Sequence, residues 1–140
     1  MLISIVGFIT SASISGILKV TFHAPRPVIV FTQIHQSLHL VPGVRMNLVD
    51  SFPSGHTTTS FCMFCLLALY TGNNVLKLFY FIVALLIMYS RMYLSQHFLK
   101  DVYAGSIVGV GSAMFIYYWM TNARMLNRFA GRLDKPLIRL

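Results

Sequence analysis

Two histidines and three fixed cations stand in this chain at spacings that could carry a reaction. Pro53-Ser54-Gly55-His56 directly precedes an apolar run, and Asp101 follows His97 by four residues. On a continuous helix a pair at that spacing faces the same way. A carboxylate bonded to one imidazole nitrogen fixes the tautomer and makes the other nitrogen the better nucleophile or base. His56 is then the second histidine, able to protonate a leaving oxygen. Lys19, Arg26 and Arg91 can neutralise a doubly charged tetrahedral oxyanion, for which phosphate is the obvious candidate. The Pro-Ser-Gly-His turn adds backbone N–H groups and the positive end of a helix dipole, with Gly55 permitting close approach. These residue types describe phosphoryl transfer through a histidine, with no need for a metal or another cofactor. Taken singly, each has a plainer role. Lys19 and Arg91 suit interfacial snorkels, His56 suits a polar cap, and His97 with Asp101 suits a hydrogen bond between two helices.

The segments that must position these residues are apolar. Of 140 residues, 56% are hydrophobic and only 10% charged, with mean hydropathy +0.71. A soluble domain carries about 25% charged residues, and its helices alternate polar and apolar faces, which these do not. Stretches 1–18, 51–76 (interrupted only by His56), 78–90 and 102–123 carry no charge. A span needs roughly 20 mainly apolar residues. The second and fourth runs meet that outright, the first is marginal, and the third reaches it if Lys77 and Arg91 snorkel at its ends. The expected fold is an all-α integral membrane bundle of about four transmembrane helices. Run 1–18 reads as a genuine span rather than a signal peptide, since no basic segment precedes Leu2 and no small-residue cleavage site is evident.

Span one ends near Lys19, because Pro25 and Pro27 forbid continuation. The long connection 19–55 holds Pro25, Pro27, Pro42 and Pro53, and its "IHQSLHL" stretch suits a short interfacial helix. Span two runs from the Pro-Ser-Gly-His turn to about Thr71, span three over roughly 75–92, and span four over roughly 98–121. Gly105, Gly109 and Ala113 in span four form a small-residue stripe that lets helices approach closely. Cys62 and Cys65 lie three apart inside a span, where one helix disfavours a disulfide, so both read as buried small residues.

The net charge of +8 is placed for a membrane rather than for nucleic acid. Arg124, Arg128, Arg132, Lys135 and Arg139 follow the last span against one acid, Asp134. By the positive-inside rule that tail is cytoplasmic. Segments 19–55 and 91–101 then share the outer face, bringing Lys19, Arg26, His56, Arg91, His97 and Asp101 together. Ionisable groups gathered at membrane depth mark a functional site. His35 and His39 are four apart but lack a third metal ligand, so they read as solvated loop residues. His23 reads as facing water or headgroups, and Arg45 and Asp50 as a loop ion pair.

These residues resemble the signature of the type 2 phosphatidic acid phosphatase (PAP2) superfamily, which includes glucose-6-phosphatase and vanadium haloperoxidases. "KVTFHAPRP" (Lys19 to Pro27) fits K-x6-R-P, Pro53 to His56 is P-S-G-H, and "SRMYLSQHFLKD" (Ser90 to Asp101) fits S-R-x5-H-x3-D. The resemblance implies that His97 is the nucleophile, that Asp101 orients and activates it, and that His56 donates a proton to the leaving group. It implies further that Lys19, Arg26, Ser54, Gly55 and Arg91 hold the phosphoryl oxygens, and that no metal takes part. Membrane members usually have six spans, with the first motif after the third, so a minimal or truncated member is expected.

The domain expectation is a PAP2-like transmembrane catalytic domain over 1–123 and a basic cytoplasmic tail over 124–140. The expected function is hydrolysis of a lipid phosphate or pyrophosphate at the outer membrane boundary, facing the periplasm if the source is bacterial. Membrane lipids are the expected surroundings, the basic tail contacting anionic lipid. Three other classes stay open: a phosphotransferase with an acceptor other than water, a non-catalytic lipid-binding scaffold, and a vanadate-dependent haloperoxidase. The four spans speak against the last, whose members are soluble.

Overall fold

A computed structural model describes residues 2–38, 40–43 and 47–122. Every element among them is a helix: α1 (Leu2–Phe22), α2 (Pro27–Gln33), α3 (Gly55–Tyr70), α4 (Asn74–Tyr93) and α5 (Leu99–Asn122). The tail predicted over 124–140 lies outside the described residues. The long helices alternate in direction. The C-terminal ends of α1 and α4 therefore meet the N-terminal ends of α3 and α5 at one end of the bundle.

Local chemistry explains most boundaries. After α1, His23 adopts a left-handed backbone (φ 40°), which breaks the helix ahead of Pro25. Pro27 then occupies the first position of α2, where its missing N–H costs nothing. No helix forms among the described residues of 34–40, the stretch expected to hold an interfacial helix. The short helix lies just before it, because Pro27 pre-sets the first turn while His35 (φ 53°) is left-handed. Asn73 caps α4 by accepting from the Val75 and Leu76 amides at 2.8 and 3.3 Å.

Span two forms where expected, from the Pro-Ser-Gly-His turn to Tyr70. Its helix has 16 residues, about 24 Å at 1.5 Å per residue. Residues 51–54 are spent on the approach to the helix and 71–73 on the turn after it. Three other segments are long and apolar enough to cross a membrane: Ile3–Gln33, Asn74–Tyr93 and Leu99–Asn122. The short helix α3 is instead central and packs against α1, α4 and α5. It buries Thr57, Thr58 and Ser60 as well as Phe61, Cys62 and Leu66. Their hydroxyls bond within the same turn, Thr58 to the Ser54 carbonyl at 2.9 Å and Ser60 to the Thr57 carbonyl at 3.1 Å. Polar groups thus survive burial because the helix itself satisfies them.

Two glycines of the stripe set the distance between α5 and α3. A Cβ on Gly105 would sit 2.9 Å from the Ser54 carbonyl oxygen, and one on Gly109 would overlap the Thr58 carbonyl oxygen. Farther along, Ala113 and Ile116 join Cys62 and Leu66 in the core, with Ile3, Val6, Tyr117 and Met120 against them. Both cysteines are free thiols, Cys62 buried and Cys65 half-buried. Large apolar side chains face outward instead: Ile17 and Val20 on α1, Val75 and Leu86 on α4, Phe115 and Tyr118 on α5. Such a surface is stable in lipid and not in water. The chain is an integral membrane protein.

Gly109→Ala should lower the melting temperature of detergent-solubilised protein, by overpacking worth about 1–3 kcal/mol. Gly111→Ala, with nothing within 4 Å of its added methyl, should leave it unchanged or raise it.

Candidate active site

The end of the bundle where four helix termini meet encloses a cavity of about 460 Å³. Lys19, Arg26, Gly55, His56, Arg91 and His97 all line it. Six of the eight residues singled out by type and spacing thus share one space. Ser54 and Asp101 stand behind the wall, both fully buried.

Arg26 and Lys19 are held by neutral acceptors. Arg26, buried ahead of α2, donates from Nε to the Val49 carbonyl at 3.0 Å. Its Nη1 reaches the Gln96 side-chain oxygen at 2.7 Å and the Gln96 carbonyl at 3.3 Å. Lys19, in the last turn of α1, donates to the Asp50 carbonyl at 2.8 Å. Arg91, in the last turn of α4, is half-buried against the cavity. Carbonyls orient Arg26 and Lys19 without cancelling their charge, so the cavity remains attractive to an anion.

Gly55 and His56 are the first two residues of α3, and no side chain caps their end of the helix. Orphan amides and the helix dipole there favour negative charge. Ser54 supports the turn rather than facing the cavity. Its amide donates to the Asp101 carbonyl at 3.0 Å, and its hydroxyl accepts from Thr57 Oγ1 at 3.0 Å. Gly55 also makes room for α1, since a Cβ there would lie 3.3 Å from Ser15 Oγ.

His97 and Asp101 do not share a continuous helix, contrary to the expectation from their spacing. The α4 helix ends at Tyr93, Ser95 turns left-handed (φ 53°), and α5 begins only at Leu99. The pair meets nonetheless, with His97 Nδ1 3.8 Å from Asp101 Oδ2. Asp101 is the third residue of α5, and its Oδ2 accepts the Phe98 amide at 2.9 Å. That is the returning half of a capping box, and it holds the carboxylate at the positive end of the helix. His97 is 4% exposed. Burial lowers its pKa below the ordinary imidazole value, with Arg26 and Lys19 pushing the same way and the nearby Asp101 carboxylate pulling back.

Three further polar side chains belong to the site and carried no signal at the level of type and spacing. Ser51 donates to Asp101 Oδ2 and lies beside His97. Gln96 holds the Arg26 guanidinium. Ser15, four residues before Lys19 and so on the same face of α1, lines the cavity with a buried hydroxyl that has no hydrogen-bond partner among the described residues. That spacing was the one available clue. Asp50 pairs with His23 at 3.2 Å, while Arg45, the partner expected for it, lies outside the described residues. His35 is exposed in the loop, and His39 also lies outside the described residues.

Comparison with known proteins places this geometry among relatives. The PAP2 superfamily model matches residues 1–125. A PA-phosphatase related-family protein from Dictyostelium discoideum is 33% identical over 52% of this chain and 32% of its own length. LpxE from Aquifex aeolicus superposes with a TM-score of 0.68 at 27% identity, covering 83% of this chain and 66% of that one. A transmembrane PAP2 type phosphatidylglycerolphosphate phosphatase from Bacillus subtilis shares the fold, with a TM-score of 0.71 at 22% identity over 88% of this chain and 60% of that one. The chain thus spans 32% of the curated relative and 60–66% of the two solved structures.

Inorganic phosphate should bind the detergent-solubilised protein, as read by calorimetry. Arg26→Lys, which keeps the charge but loses the anchored fork, should weaken that binding by roughly tenfold or more, as expected for lost charge-assisted hydrogen bonds.

Proposed function

From a chain that belongs to the PAP2 superfamily, we propose a membrane-embedded phosphatase that hydrolyses a lipid phosphate or pyrophosphate through a phosphohistidine. One observation carries the reading. His56 and His97 border a single cavity together with Lys19, Arg26 and Arg91, and Asp101 backs His97.

The three cations and the open α3 N-terminus bind the phosphoryl oxygens and take up the charge that grows on them in the transition state. His97, neutral and bonded from behind through Nδ1, attacks phosphorus with the lone pair of Nε2. The new P–N bond forms as the bond from phosphorus to the lipid oxygen breaks, and His56 gives that oxygen its proton. Water then attacks the phosphohistidine and loses a proton to His56. The P–N bond breaks, inorganic phosphate leaves, and both histidines return to their starting states. The fixed cations already match a phosphate dianion, so the reaction needs no metal.

A lipid substrate is supported by the shape of the cavity as well as by the relatives. Beyond the charged end its lining continues along α1 through Gly16 and Ala12 to Phe8. From Lys19 to Phe8 is eleven residues, about 16 Å along the axis. An amphiphile can leave its tail in lipid while its phosphate reaches the cations. Phosphatidic acid, phosphatidylglycerol phosphate, a polyprenyl pyrophosphate and the phosphate of lipid A all meet that description. The basic tail orients the site to the outer face of the membrane, which in a bacterium is the periplasmic side.

Phosphate release from a panel of these lipids, with EDTA present throughout, tests the reading. Wild-type protein should turn over at least one of them, His97→Ala should fall to background, and His56→Ala should lose roughly 10²–10⁴-fold in rate. Full activity in His97→Ala would sink the mechanism, and loss on adding EDTA would sink the metal-free chemistry. The pH profile has a defined sign. A nucleophile whose pKa is lowered stays neutral as pH falls through the ordinary value of about 6.5, so the acid limb of kcat/KM should appear only below that pH.

A further inference from the structure

We infer that Ser51 is the positioning residue through which Asp101 acts on His97. The inference rests on His97 as the nucleophile. His97 Nδ1 and Asp101 Oδ2 are 3.8 Å apart, too far for a hydrogen bond. Ser51 Oγ stands beside both, donating to Asp101 Oδ2 and lying 3.5 Å from His97 Nδ1, nearer to the ring than the carboxylate is. Asp101 Oδ2 is already engaged by two donors, that hydroxyl and the Phe98 amide. Its other oxygen, Oδ1, is buried without a hydrogen-bond partner among the described residues.

Counting protons fixes the arrangement. A serine hydroxyl has one proton to give, and here it goes to the carboxylate. Toward His97 the same oxygen can then only accept, so Nδ1 carries the imidazole proton. That leaves the lone pair on Nε2, the ring nitrogen turned away from Ser51 and toward the cavity that His97 lines. Among the described residues, nothing but Ser51 lies within hydrogen-bond reach of Nδ1 to select this tautomer.

Ser51 is well placed to hold the geometry, because its own position is over-determined. It is fully buried, and its amide donates to the Ala24 carbonyl at 2.9 Å. The residue before it, Asp50, offers its carbonyl to Lys19. Two adjacent loop residues therefore fix one phosphate-side cation and the tautomer of the nucleophile together.

The test uses the full chain in detergent with ¹⁵N-labelled histidine, His97 being assigned by its loss in His97→Gln. At a pH where the ring is neutral, wild-type His97 should show the Nδ1–H tautomer. Ser51→Ala should shift it toward a mixture with Nε2–H, and Ser51→Thr, which keeps the hydroxyl, should restore it. On a lipid phosphate that the protein hydrolyses, Ser51→Ala should lower kcat about tenfold, the scale of one hydrogen bond, with KM unchanged. An Nε2–H tautomer in the wild-type protein would overturn the inference without need of any variant. So would an unchanged tautomer in Ser51→Ala beside a changed one in Asp101→Asn, which would assign the contact to Asp101 directly. If no lipid is hydrolysed but the tautomer still follows Ser51, the proposed function fails and the relay stands.

Discussion

Everything at the charged end of this bundle depends on how closely α5 approaches α3. Gly105 and Gly109 remove the side chains that would keep the two backbones apart. At that separation the Ser54 amide can reach the Asp101 carbonyl at 3.0 Å. One backbone hydrogen bond thereby ties the turn that presents His56 to the turn of helix that carries the partner of His97. Dispersion between close backbones replaces the hydrophobic drive that lipid does not supply. His56 and Asp101 then sit on two helices that cannot move apart without losing this contact.

The second governing feature is the choice of acceptors for the cations. The whole chain has three acidic residues. Of the two acids among the described residues, Asp50 pairs with His23 and Asp101 stands against His97 rather than against a lysine or arginine. Arg26 and Lys19 are oriented by the carbonyls of Val49, Asp50 and Gln96 and by the Gln96 side chain. A carboxylate in those places would hold the cations as firmly but would neutralise the field they project. Neutral dipoles give position and leave the charge for an incoming anion, at the cost of a folded state that carries unmatched positive charge near the membrane surface.

How much of this was legible in the sequence follows from the kind of constraint involved. Cations, histidines and the open helix start are dictated by the chemistry of an oxyanion, so residue type and local spacing found all six cavity residues among them. The small-residue stripe was legible for the same reason, since close packing demands small side chains whatever the fold. Ser51 and Gln96 were not, because serine and glutamine are common in loops. Their roles arise from contacts 50 and 70 residues away along the chain. The bounds of α3 were legible, because the Pro-Ser-Gly-His turn and the turn at 71–74 punctuate an otherwise uniform run. A four-residue spacing, by contrast, hid a break between His97 and Asp101, because spacing alone does not say where a helix begins.

The outward face of α4 has a consequence for the environment in which the site works. Of its 20 residues only Ala84 is buried, yet Arg91 in its last turn forms part of the cavity wall. The protein contacts of α4 run mainly along α3, so that packing and the thickness of the surrounding bilayer together set the inclination of the helix. At about 30 Å in length, it matches a typical hydrocarbon core with little to spare. A thicker or thinner membrane tilts or draws this helix differently and displaces one of three cations relative to the other two. Lipid composition thus becomes a parameter of the site itself, acting as a mechanical load on one wall of the cavity.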